Sequence, residues 1–390
     1  MANTLLTPVA VTREIARVLH QKLNFIGTID RQYDDSFAKS GAKVGDTLKI
    51  RLPNQYVVRT GALLATQDTN ETSVTLQVAT QKGVDLNFTS TDLTMSLDDF
   101  SKRIIEPAAA VLAANIEADA MSMYKDVSQS VWNGGSAATL ARVLAARKLM
   151  QDALAPLNDR SANLNTQDTV DLVDGLKALF NDQSALAKQY REGAMGRAAG
   201  FDFMENTMWP AHARGAANSA YLVNGAAQSG SALTVDTGAG VPAAGDVFTI
   251  AGVFRVHPET RTSTGILQQF VVGAGATTTS FPISPAITAS GPTQNVSGAP
   301  ADNAAIAFLG TASTAVGTSL LYQKEAFAFA TADLVMPDGV DWKAREVVDG
   351  VSVRLVRQYT IATDAFPTRL DVLYGYKTLR PQLAARLHNN

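Results

Sequence analysis

Two periodicities divide this chain. Apolar and polar residues alternate through Ser73-Val74-Thr75-Leu76-Gln77-Val78 and again through Val84-Asp85-Leu86-Asn87-Phe88, the pattern of strands with one buried and one wet face. Upstream, Gly45-Asp46 opens the short run Leu48–Pro53, and the stretch from Asn54 to Thr72 is polar and rich in Thr, Gln and Asn. Together these predict a long two-stranded projection. An isolated hairpin is marginal in water, so its apolar side needs another surface to cover it. The same alternation returns near the other end, where Val351, Val353 and Leu355 fall on one side and Leu370, Val372 and Tyr374 repeat the pattern after Phe366-Pro367.

Helical spacing fills the intervals. Behind Thr12, Ile15, Val18, Leu19 and Leu23 lie on one side of a short amphipathic helix, preceded by an extended piece ending at Pro8. This arm reads either as a loose terminus or as a functional element. Ser96 reads as an N-cap with Asp98 and Asp99 in the first turn, and that helix runs to Glu106. Pro107 suits the first turn of a second helix reaching Val127, roughly 30 Å long. Ile105, Leu112, Ile116 and Met123 form its apolar stripe, filled in by Ala109 and Ala120. Trp132–Gly135 reads as a turn, Thr139 as the cap of an Ala-rich helix ending near Pro156, and Asp168–Phe180 as another helix. Glycines at 193, 196 and 200 break the pattern before a strand at Phe201–Glu205.

Composition changes sharply between 221 and 320. No lysine occurs between Lys188 and Lys324, and Leu222–Leu320 holds only four acids and two arginines. Short apolar runs at Leu233–Val235, Val247–Ile250 and Leu267–Val272 are separated by Gly and Pro turns. A low-complexity linker is one reading; the spaced strands favour an inserted β domain.

The bulk numbers exclude more than they select. A chain of 390 residues allows two to three domains, and 46% hydrophobic with 18% charged residues marks a folded protein. A net charge of −3 gives no basic surface for gripping nucleic acid. Without cysteine, disulfides, thiolate metal sites and cysteine nucleophiles are impossible. The start of the chain lacks a signal-peptide pattern and no run of 18 apolar residues occurs, so no membrane span is expected. The histidines at 20, 212, 257 and 388 lack ligand spacing and read as surface or hydrogen-bonded residues. Phosphate-loop and nucleophile-elbow motifs are missing. No catalytic, metal or cofactor site is expected. The basic residues Lys377, Arg380 and Arg386 read as a solvated end or a contact for a scaffolding protein.

Three segments carry a family resemblance: LYQKEAFAFATADLVMP (Leu321–Pro337), LYGYKTLRP (Leu373–Pro381) and REGAMGRAAGFDF (Arg191–Phe203). Their wording and order resemble the major capsid (coat) proteins of tailed bacteriophages, in the subgroup with an inserted β-rich domain. The resemblance implies the α+β tailed-phage capsid fold shared with herpesviruses. It places an N-terminal arm at 1–35, an extended β loop at 36–90 and a peripheral domain with spine helix at 91–131 and 345–390. The axial domain then falls at 132–221 and 306–344, and the inserted β domain at 222–305. It also implies a structural, non-enzymatic role: pentamers and hexamers of this chain forming an icosahedral shell around double-stranded DNA, without sequence-specific binding. Scaffolding protein and portal are the implied partners, the virion the location, and the host cytoplasm the place of assembly. Ile15, Leu19 and Leu23 of the arm and Leu63, Leu64, Val74, Leu76 and Val78 of the loop are the expected contacts with neighbours. An encapsulin-type bacterial compartment shell is the alternative, and an enzyme with a dispersed site is the third possibility.

Overall fold

The computed structural model describes residues 12–15, 17, 23–34, 47–59, 61–64, 66–67, 72–89, 106–176, 196–348, 350–363 and 365–389. Among the expectations above, Val18, Leu19, the helical stretch Ser96–Ile105 and the end of the Asp168–Phe180 helix lie outside them. The chain divides into two compact units, each assembled from separated segments.

The first unit takes Met1–Arg51, Ser73–Met121 and Phe327–Leu379. Its sheet is organised on the 14-residue strand Ala365–Thr378, the longest among the described residues. Antiparallel partners are Phe327–Ala332 along residues 373–378, Val351–Arg357 along residues 368–371, and Thr80–Thr89 along residues 365–374. Trp342–Val348 extends one edge, and Asp30–Asp34 adds a parallel strand beside Phe327–Ala332. The sequence FAFATA explains how two layers fit around one strand. Period-two alternation puts Phe327 and Phe329 on one face and Ala328, Ala330 and Ala332 on the other.

The small-residue face receives the expected hairpin. Thr47–Arg51 and Ser73–Gln77 pair with Leu48 opposite Leu76 and Ile50 opposite Val74. Leu76 and Val78 then close a core with the three alanines, Leu373 and Leu379. Gly375 makes the approach possible, since a Cβ there would overlap the Gln77 carbonyl. The aromatic face packs Phe25 on Phe327 and Phe329 on Tyr374, ring centroids 5.7 Å apart in each pair.

The long helix is α-helical over Glu106–Met121 and tightens to 3-10 over Ser122–Asp126, so the expected span to Val127 holds with a change of winding in its last turn. It buries Ala108, Ala109, Leu112, Ala113, Ile116 and Ala120. Glu117 is buried with them because it has work there: its carboxylate accepts hydrogen bonds from the backbone N–H of Phe25 and of Ile26. These are groups at the start of the 3-10 turn Ile26–Thr28, where helical donors lack internal partners.

The second unit takes Leu52–Thr72, Ser122–Ala326 and Arg380–Asn390. A seven-stranded sheet runs in the order Ser130–Trp132, Ala384–Asn389, Ala315–Gln323, Arg160–Leu164, Phe201–Glu205, Arg197–Ala198, with His212–Ala213 also on Ala315–Gln323. Every residue of Ala384–Asn389 is buried. That strand lies parallel to Ser130–Trp132 and antiparallel to Ala315–Gln323. Helices occupy Leu140–Asp152 and Thr166–Leu176, the first following Thr139 as expected although the threonine side chain makes no cap bond.

The charge-poor stretch is a sheet rather than a linker. Six strands run in the order Leu222–Val223, Gly230–Asp236, Ser280–Ile287, Ser263–Val272, Val247–Val256, Ile306–Phe308. They enclose a core built on Tyr221, Phe248, Phe270 and Phe281. Phe281 meets Tyr221 edge-on at 5.0 Å, and Phe248 stacks on Phe270 at 5.8 Å.

Candidate functional site

Two features stand out once the packed residues are set aside. The first is an uncovered apolar loop. In the segment joining the two hairpin strands, Val58 and Leu63 are each 88% exposed and Leu64 is 83% exposed. The loop is not shapeless. Gln67 straps it by accepting from the Val57 N–H at 2.8 Å and donating to the Val57 carbonyl at 2.5 Å. Water contact at three large aliphatic side chains is unfavourable by about 1.5–3 kcal/mol for each one that a partner would fully bury.

The expected contact residues separate on burial. Leu63 and Leu64 are open to solvent, whereas Leu76 and Val78 are fully enclosed by their own chain and Val74 is half-buried against the same core. Ile15 and Leu23 are also buried within their own chain. Alternation in the sequence is the same whether a strand's apolar face is covered by its own subunit or another's, which is why it did not separate these groups. Val58 was missed; its signal is a β-branched residue in a polar loop. Ile361, 84% exposed at the turn 361–363, was missed too.

The second feature is a buried polar joint in the second unit. Tyr124 Oη lies 3.2 Å from His212 Nδ1, and His212 Nε2 lies 3.0 Å from Asp246 Oδ1. The other oxygen of Asp246 accepts from the backbone N–H of Gly215 and Ala243 at 3.0 and 2.9 Å. His388 packs between Trp132 and His212, centroids 5.6 and 5.7 Å away. Arg386, on the same face of its strand, donates to the Gly245 carbonyl at 2.8 Å and sits over the Tyr124 ring. Gln269 adds a second fastening, accepting from Ser130 N–H at 2.8 Å and donating to Ser130 carbonyl at 2.9 Å. Asp246, Gly245 and Gln269 belong to the charge-poor stretch, so these bonds tie it to the seven-stranded sheet.

Burial governs the electrostatics of this joint. It lowers the Arg386 guanidinium to about 10, and Tyr124 and Asp246 oppose that shift. His388 is held well below the ordinary histidine range by burial, then by Arg386 and His212. Nearby, burial raises the Asp168 carboxyl against the hydrogen bonds it accepts from Ser319 and Asn389.

The basic end therefore needs correction. Arg386 is fully buried, Arg380 pairs with Glu325 at 3.0 Å, and Lys377 alone of the three is exposed. Strand pairing explains the difference, because Ala384–Asn389 lies inside a sheet. The histidines read as hydrogen-bonded are so at 212 and 388, and the His257 ring accepts from Glu259 and Thr260 N–H at 3.3 Å. Among the described residues no cluster of metal-ligating side chains occurs, and no helix is long and apolar enough to cross a membrane.

No curated protein matches the chain. Solved structures similar to it include a protein of Mycobacterium phage Che8, at 13% identity and a TM-score of 0.45, covering 91% of this chain and 88% of that one. Bacteriophage PhiM1 mature capsid matches at 11% identity and a TM-score of 0.44, covering 93% and 86%. A virus-like particle from Pyrococcus furiosus matches at 6% and a TM-score of 0.38, covering 97% of each chain. The family assignment rests on sequence instead, through the family described as P22 coat protein, gene protein 5. Matched over residues 36–386, this chain belongs to the P22 coat protein family: it is a phage major capsid protein with the α+β capsid fold, and a structural component of the virion.

Proposed function

We propose that copies of this chain associate into pentamers and hexamers that close an icosahedral shell around double-stranded phage DNA. The observation that carries this reading is the strapped loop presenting Val58, Leu63 and Leu64 to solvent. Such a loop is unfavourable on an isolated subunit and favourable once a neighbour covers it. Leu63 and Leu64 are the contacts of choice, with Val58 beside them; Val74, half-buried, lies at the margin. Leu76, Val78, Ile15 and Leu23 support the interface indirectly, by holding loop and arm in place.

Each contact between subunits needs to be only modest, because closure of a shell multiplies it. A near-neutral chain suits confinement of DNA by a closed wall rather than a grip on its sequence. Scaffolding protein and portal complete assembly in the host cytoplasm, and the chain itself performs no catalysis. Electron microscopy of the protein expressed alone and with its neighbouring genes tests the reading. Closed shells built of five- and six-fold capsomers, with nuclease-protected DNA in particles from phage-producing cells, are expected. Monomers or small oligomers under both conditions would overturn it.

A further inference from the structure

The chain contains two Asn-Gly pairs, Asn133-Gly134 and Asn224-Gly225, and the fold treats them in opposite ways. Asn133 has its carboxamide engaged: its nitrogen donates to the Ala137 carbonyl at 2.9 Å, and lies 3.4 and 3.3 Å from Ser136 carbonyl and Asn389 Oδ1. Gly134 is pressed against Trp132, whose ring a Cβ would strike. Asn224 is exposed, and among the described residues its carboxamide makes no hydrogen bond. Its backbone, by contrast, is held, with N–H donating to Thr234 carbonyl at 3.0 Å and the carbonyl accepting from Gln228 Nε2 at 2.7 Å.

The decisive contact is on the next residue. Gly225 N–H donates to Asp302 Oδ1 at 2.7 Å, and the other Asp302 oxygen is oriented by Asn303 Nδ2 at 2.8 Å. Gly225 sits at φ +95°, a conformation a side chain would resist, and no atom crowds the position of a Cβ. A free carboxamide, a following nitrogen with no side chain beside it and a carboxylate already on that nitrogen's proton are the three parts of an intramolecular cyclisation.

We propose that Asn224-Gly225 is a deamidation site of the inserted sheet, with Asp302 as its general base. The Gly225 nitrogen attacks the Asn224 side-chain carbonyl carbon while its proton passes to Asp302. The bond from that carbon to the amide nitrogen breaks, and the departing nitrogen takes the proton from Asp302 and leaves as ammonia. Water then opens the cyclic imide, giving aspartate or isoaspartate at 224. No oxidant or other co-reactant is required. The product places a new carboxylate at the turn that Asp302 staples, so like-charge repulsion enters where the side chain was neutral and the turn between Leu222–Val223 and Gly230–Asp236 loosens with age.

The test is peptide-mapping mass spectrometry of the intact full-length protein, incubated in warm neutral buffer and compared with the same chain unfolded in urea. Replacement of an amide by an acid is followed at both Asn-Gly pairs. Asn224 is expected to convert several-fold faster than Asn133 in the folded chain, with the two rates converging in urea. Asp302→Asn keeps the acceptor but removes the base, and slows Asn224 several-fold; Asn303→Ala, which frees Asp302 to rotate, slows it less and serves if the first variant does not fold. Equal rates at the two pairs in the folded chain overturn the proposal. So does an Asp302→Asn protein that converts as fast as wild type or faster, since the contact is then a lock on the nitrogen and not a base.

Discussion

Leu76→Asp and the double change Leu63→Asp/Leu64→Asp introduce the same chemistry into neighbouring parts of one hairpin, and the structure assigns them opposite consequences. Leu76 is fully enclosed among Ala328, Ala330, Ala332 and Leu373. Removing a buried leucine costs about 2–5 kcal/mol. A carboxylate in its place has no cation in that apolar cluster and adds about 1–3 kcal/mol or more of desolvation. The sum, on the order of 3–8 kcal/mol, is comparable to the total stability of a typical domain, roughly 5–15 kcal/mol. Leu63 and Leu64 are 88% and 83% exposed, so their replacement shifts monomer stability within about 0.5 kcal/mol. If a neighbour covers both, each subunit contact loses about 3–6 kcal/mol, or roughly two to four orders of magnitude in its equilibrium constant. Urea unfolding of the unassembled protein, followed by light scattering under assembly conditions, separates the two. Leu76→Asp should unfold at much lower urea or fail to fold, and the double variant should unfold like wild type but not assemble. The reasoning fails if Leu76→Asp keeps the wild-type urea midpoint, or if the double variant assembles at the wild-type rate.

Three further outcomes follow from named contacts. Glu117→Ala strands the Phe25 and Ile26 amides beside a buried helix and should cost about 3–5 kcal/mol in urea titration, with Glu117→Gln recovering part of that loss. Gly375→Ala places a methyl on the Gln77 carbonyl and should destabilise the first unit by at least about 1–3 kcal/mol, measured by thermal unfolding. His388 is neutral in the folded protein because burial, Arg386 and His212 hold it well below 6.5, while the unfolded chain takes up its proton near 6.5. Folding stability at this residue is therefore complete above pH 6.5 and declines as pH falls below it, by up to about 1.4 kcal/mol per pH unit. The slope difference between wild type and His388→Gln, from urea midpoints across that window, measures it; identical slopes would show that no burden falls on this ring.

Local pattern revealed most of the elements. The hairpin, the helix after Pro107, the helix after Thr139, the strand at Phe201–Glu205 and the strands around 351–374 all follow from short-range alternation or helical spacing. The FAFATA segment was recognisable as family wording, but its use of one face for aromatics and the other for a hairpin depends on Gly375 and Gln77, which are far from it in sequence. The polar joint was hidden for the same reason. His212 and His388 lie on different strands and Asp246 just before a third, spread over a large part of the chain, and no spacing rule connects them. Arg386 looked like a solvated charge because terminal basic residues usually are, and only its place in an interior strand reverses that. Residues of the exposed loop were half legible: Leu63 and Leu64 stand out as apolar in polar surroundings, but Leu76 and Val78 carry the same alternation and end up inside.

The placement of Ala384–Asn389 between Ser130–Trp132 and Ala315–Gln323 has a bearing on synthesis. A ribosome delivers residue 130 long before residue 384, so the edge of Ser130–Trp132, joined later by that of Ala315–Gln323, waits for a partner not yet made. The first unit is no better placed, because its central strand is residues 365–378. Local helices and the charge-poor sheet, whose strands are close in sequence, are free to form on the ribosome, whereas the sheet of the first unit and the seven-stranded sheet close only after residues 365–378 and 384–389 emerge. Long-range pairing of this kind is slow, and the open edges are exposed to copies of the same chain on neighbouring ribosomes. A capsid subunit must be kept from associating with its copies too early, and the charge-poor sheet, whose strands are all made by residue 308, is free to fold before that interval ends.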